Sequence, residues 1–76
     1  MITSDQIRAG RALLRITVSE LAKLSDIGVA TIKRIEAGSG LPSANVKTID
    51  SLTRAFQNAG IEFVGTPDDR PGVRLK

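Results

Sequence analysis

The amino-acid sequence predicts a mainly α fold: four short helices followed by a C-terminal β-hairpin or strand pair. Three observations carry this. Thr3 with Gln6, and Thr17 with Glu20, each set a hydroxyl residue three positions before a Gln or Glu at the start of an apolar periodicity, the capping-box pattern. Val46, Ile49, Leu52, Phe56 and Ala59 recur at helical spacing and stop at Gly60. Beyond Gly60 the pattern changes to two short β-like runs, residues 61–64 and 73–75, around a stretch rich in turn residues. A chain of 76 residues has room for one small core, here residues 1–60, with residues 61–76 as a strand-forming tail.

Helix 1 is read over residues 4–14. Thr3 and Gln6 form its capping box, Ile2 and Ile7 sit at the hydrophobic-staple positions, and Asp5 lies in the first turn, where a negative charge suits the dipole. Ile7, Gly10 and Leu14 fall on one face with Leu13 beside it. Helix 2 starts at the Thr17 cap, with Leu21, Ala22 and Ser25 on one face. It is short, because Asp26-Ile27-Gly28 breaks the periodicity. Helix 3 resumes at Val29 with Ile32 and Ile35 inward, and Gly38 is expected to cap its end. After a loop at residues 39–42, Ser43 or Asn45 caps helix 4, whose inward stripe runs from Val46 to Ala59. The tail is expected as a hairpin with a loop of about eight residues, packed on helix 4 or paired with another chain.

Composition excludes several classes of function. There is no Cys and no His, which removes disulfides, thiolate–zinc sites, a Cys nucleophile and the commonest general base. Asp5, Glu20, Asp26, Glu36, Asp50, Glu62, Asp68 and Asp69 form no pair at catalytic spacing. No enzyme activity, no cofactor and no metal are expected. No apolar run is long enough to span a bilayer, and Asp5, Gln6, Arg8 and Arg11 interrupt any signal-peptide pattern, so a cytoplasmic protein is expected. The formal charge of +3 permits an anionic partner without demanding one.

The informative stretch is residues 17–38: a short helix, a three-residue turn and a second helix. Ala22 allows the two helices to cross closely and Ile27 plugs the turn. With Ile32 and Ile35 inward, the outer face of the second helix is Gly28, Val29, Ala30, Lys33, Arg34 and Ala37. Small residues admit close approach to base edges, and Lys or Arg reach bases or phosphates, so such a helix can enter a DNA major groove. A Lys-Arg pair on a helix is by itself only a solvated face. Here the position of the helix makes Lys33 and Arg34 the leading contacts. Val29 suits a thymine methyl. Ala30 can instead pack on helix 2, and the Thr31 hydroxyl can either donate to phosphate or bond back to its own helix. Thr17 is a cap that can also meet the backbone, while Arg15, Lys23 and Lys47 are generic phosphate candidates.

Residues 16–38, above all Leu21-Ala22, Ile27, Thr31-Ile32, Ile35-Glu36 and Gly38, resemble the core of the XRE/Cro family of helix-turn-helix DNA-binding domains, which includes the lambda-like repressors. With helices 1 and 4 in place the resemblance covers residues 4–59, and the tail is similar to that of small single-domain bacterial members. It implies a compact four-helix lambda-repressor-like domain and DNA contacts from Thr17, Gly28, Val29, Ala30, Thr31, Lys33 and Arg34, with Ser39 in the loop after the recognition helix. It also implies a structural ion pair between Arg11 and Glu36. The chain departs from the family in three places. Val18 stands where a phosphate-binding Gln is usual. Asp26 replaces the turn glycine and tolerates the left-handed conformation. Gly28 replaces the capping Ser.

The expected function is sequence-specific binding of double-stranded DNA by a small transcriptional regulator. One module makes few base contacts, so a homodimer on a pseudo-palindromic site is expected, held through residues 61–75 because an unpaired strand edge invites a second copy. Two alternatives stand beside it: an antitoxin-like protein that binds DNA and a partner toxin, and a protein-interaction module without DNA binding.

Overall fold

The computed structural model describes all 76 residues. Its elements run α1 Ser4–Leu14, α2 Val18–Ser25, α3 Val29–Glu36, α4 Val46–Asn58, β1 Ile61–Thr66 and β2 Asp69–Leu75. Each helix start is set by a local device. The Thr3 hydroxyl accepts from the Gln6 N–H at 3.1 Å while the Gln6 side chain accepts from the Thr3 N–H at 2.8 Å. Thr17 and Glu20 repeat the arrangement at 3.1 and 2.9 Å. Asn45, not Ser43, caps α4, accepting from the Thr48 N–H at 2.8 Å. Asp26 ends α2 in the left-handed region at φ 59°, so the α2–α3 turn closes without a left-handed glycine. Gly28 precedes α3 in extended conformation with no side-chain cap.

The core is Ile2, Ile7, Leu21, Ile32, Ile35, Ile49, Leu52, Phe56 and Ile61, so every element from α1 to β1 buries at least one side chain in a single cluster. Ile2 and Ile7 pack as the staple that brackets the first cap. Gly10 lets α1 approach α4: a Cβ there would lie 3.0 Å from the Phe56 ring. Phe56 in turn meets Phe63 of β1 edge to face, with centroids 5.6 Å apart.

Four expectations are corrected. The α4 stripe uses Ile49, Leu52, Ala55 and Phe56; Val46 and Ala59 are exposed, because the first turn and the last residue overhang the core. Leu13 is likewise exposed. Gly38 adopts no left-handed conformation: α3 ends at Ala37 in ordinary helical geometry, and the Gly38 N–H reaches the Ile35 carbonyl at 3.3 Å. The hairpin has no eight-residue loop. Thr66 pairs with Asp69, leaving only Pro67-Asp68 as the connection. Gly65 at φ 75° and Arg70 at φ 51° absorb a register shift between Val64 and Thr66. Only glycine fits at 65, since a Cβ would lie 2.2 Å from the Arg70 carbonyl oxygen.

The hairpin lies on both α1 and α4. Gln6 fastens it: having capped α1 through its oxygen, it donates through Nε2 to the carbonyls of Val64 (3.1 Å) and Gly72 (2.9 Å), one on each strand. On the outer face Arg74 donates to both carboxylate oxygens of Glu62, at 2.8 and 3.1 Å.

Two surface carboxylates give a pH dependence. Hydrogen bonds from the Thr17 backbone and then its side chain lower the Glu20 pKa, and hydrogen bonds from Arg74 with its charge lower that of Glu62. Each contribution is complete above the unfolded value of about 4.3 and is lost as pH falls through the lower folded-state value. The urea midpoint should therefore drop as pH falls from about 4.3 through the lower folded-state values, and less steeply in the double variant Glu20→Gln, Glu62→Gln. An unchanged acid slope in the double variant would contradict the assignment.

Candidate nucleic-acid interface

The α2–turn–α3 unit presents one helix outward. Ile32 and Ile35 are 0% and 2% exposed, which fixes the rotation of α3. Ala30, Lys33, Arg34 and Ala37 are then exposed along its outer side, while Val29 and Thr31 are half-buried at its start. Gly28, just ahead of the helix, is exposed, and a side chain there would meet nothing, so the N-terminal end of α3 is free to approach a ligand. Thr17 is exposed, its hydroxyl oxygen accepting from the Glu20 N–H. Thr31 makes no bond back to its helix, unlike Thr53, whose hydroxyl donates to the Ile49 carbonyl at 2.7 Å. Ser39 is exposed in the loop that leaves α3.

The charges sort into two sets. Arg8, Arg11, Arg70 and Arg74 are held by Asp5, Glu36, Asp69 and Glu62. Lys33 and Arg34 enter no ion pair, nor do Arg15, Lys23 and Lys47. The free cations thus include both that α3 carries. Leu24 is 55% exposed on α2.

The far end of α3 is tied to α1. Arg11 donates from Nε to Glu36 Oε2 at 2.9 Å and from Nη2 to Oε1 at 2.8 Å, and from Nη1 to the Ile16 carbonyl at 3.2 Å. The hydrogen bonds that Arg11 donates to Glu36, with the carboxylate's charge, hold the guanidinium above its ordinary value against partial desolvation. The side chains are 28% and 9% exposed, so water weakens the pair only in part, and a contribution near the lower end of the about 1.5–3 kcal/mol for charged hydrogen bonds is expected.

Arg8 gave no signal in the sequence, yet it joins the same region. Its Nη1 donates to the carbonyls of Glu36 and, at 2.6 Å, Gly38, and its Nη2 pairs with Asp5. An arginine one turn before Arg11 is legible as a helix-face cation, but the backbone carbonyls it meets lie some thirty positions away and carry no side-chain signature.

Residues 7–57, about two thirds of the chain, match the family model described as helix-turn-helix. No curated protein matches the chain.

Proposed function

The chain belongs to the XRE/Cro-like helix-turn-helix family of DNA-binding regulators, and on that premise we propose that it binds a specific double-stranded DNA site by laying α3 in the major groove. Val29 and Ala30 approach base edges, Arg34 and Lys33 bond bases or phosphates, and the hydroxyls of Thr17, Thr31 and Ser39 with the Gly28 end of α3 hold the backbone. The observation that carries the reading is the exposed outer side of α3, small at its start and bearing two cations free of ion pairs, on a helix locked from behind by Ile32 and Ile35.

The protein acts on DNA as a homodimer through residues 61–75. The Lys76 N–H donates to the Gly60 carbonyl at 2.8 Å, which makes 62/74 and 64/72 the hydrogen-bonded pairs and turns the peptide groups of Phe63, Val73 and Leu75 toward the strand edges. Leu75, at the end of β2, is 55% exposed. Unpaired edge groups beside an exposed Leu are suited to a second copy.

The test is selection of bound duplexes from a random pool by the full chain, followed by sedimentation of the complex. A single enriched motif with two-fold symmetry, bound by two chains, is expected. No enrichment over random DNA removes the specific-binding reading, and one chain per enriched site removes the dimer.

A further inference from the structure

We propose that Arg8 is a positioning residue for DNA binding: it clasps the end of α3 and the following loop onto α1, and touches no phosphate itself. The proposal rests on the DNA-binding reading above. The loop that leaves α3 is Gly38-Ser39-Gly40, the kind of segment with most conformational freedom to lose on ordering. It is nevertheless anchored at each end. The Ser4 N–H donates to the Gly40 carbonyl at 2.8 Å, and the Gly40 N–H donates to Asp5 Oδ2 at 3.2 Å. Arg8 supplies the other half, bonding the carbonyls of Glu36 and Gly38 and the second Asp5 oxygen. The first two turns of α1 therefore hold a glycine-flanked serine, exposed, directly beyond the helix that carries Lys33 and Arg34.

Ordering this loop before DNA arrives removes an entropic cost from binding, and it fixes where Ser39 and the last turn of α3 sit relative to the backbone. The Arg8 guanidinium is occupied by one carboxylate and two carbonyls, so its charge is largely neutralised and both ends of its fork are engaged. That separates Arg8 from the free cations: its removal should loosen the complex without changing the number of counterions released. A lysine places one point charge where the fork now spans separate acceptors, so it restores the clasp incompletely.

The experiment uses the full chain as Arg8→Met, Arg8→Lys and Asp5→Asn, each checked for folding by thermal melting and titrated with the selected site and with random duplex across a salt series. Arg8→Met is expected to lose about tenfold in affinity for the selected site, the size of one well-placed contact, and less on random duplex. Its salt slope should equal that of the parent chain. Arg8→Lys should recover part of the loss, and Asp5→Asn should show a smaller loss of the same kind. Parent-like affinity in folded Arg8→Met overturns the proposal, and so does a salt slope reduced by about one, which marks a direct phosphate contact. If Arg8→Met does not fold, Arg8→Lys and Asp5→Asn decide: parent-like affinity in both overturns it. A parent chain that binds no duplex fails the DNA-binding reading, and the proposal with it. Tight binding by the parent and by all three variants fails the positioning role alone.

Discussion

Gln6→Glu is expected to destabilise the protein by about 3–5 kcal/mol at neutral pH, the range for an uncompensated charge left in a protein interior. From the sequence the change looks neutral, since Glu serves the third helical position of a capping box as well as Gln does. The structure makes it severe because Gln6 works at both ends. Its oxygen accepts from the Thr3 N–H, which a carboxylate preserves. Its amide nitrogen donates to Val64 and Gly72 on the two strands of the hairpin, and a carboxylate turns an acceptor toward those two carbonyls instead. Gln6 is only 4% exposed, so water cannot take the charge. The sign of the pH effect follows. The new carboxyl has a folded-state pKa raised above about 4.3 by burial and by facing acceptors, so protonation favours the folded form and restores a donor. The penalty is therefore full above the raised value and fades as pH falls below it. Urea unfolding of Gln6→Glu and Gln6→Ala at neutral and mildly acid pH checks this. Gln6→Ala should cost less at neutral pH and show no such recovery; equal losses with the same pH profile would refute the argument.

The contrast at Gln6 marks what the sequence can carry. Devices closed within three or four residues were legible: both capping boxes and the Ile2–Ile7 staple follow from neighbours alone, while the left-handed Asp26 follows from the family turn glycine it replaces. The inward sides of Ile32 and Ile35 were legible too, since their spacing sets the rotation of α3 and hence which residues point out. What failed depended on distant surfaces. Val46 keeps the helical period but lies in the first turn of α4, beyond the core, and is exposed. Gly38 looked like a left-handed cap, whereas Arg8 bonds the carbonyls of Glu36 and Gly38 from about thirty residues upstream. Residues 65–72 contain the chemistry of a loop, Gly, Pro and Asp, but the same residues build a tight bulged turn once β1 and β2 have a helical surface to lie on. The outer face of α3 was thus readable as a surface, while the clasp that orients it was not.

That surface carries the second large effect. Arg34→Ala is expected to reduce affinity for the selected duplex by roughly 5- to 150-fold, the equivalent of one bidentate arginine–base pair, and to relax the preference at one position of the site. Two observations make Arg34 the residue to test. It is exposed and in no ion pair, so its removal leaves the fold intact, with stability changed by no more than about 0.5 kcal/mol. It also offers a planar fork of donors where Lys33 offers a point charge, and only a fork can satisfy two acceptors of one guanine edge. Lys47→Ala is the comparison. Lys47 is an exposed cation beside the cap of α4, outside the outer face of α3, and its loss should weaken selected and random duplexes alike and lower the salt slope by about one. Titration of both variants against both duplexes across a salt series separates the roles. If Arg34→Ala loses the same factor on selected and random DNA, Arg34 is a phosphate contact, and base reading by α3 passes to Lys33, Val29 and Ala30. That outcome would leave discrimination to weaker contacts and to groove shape, and the enriched motif should then be short and degenerate.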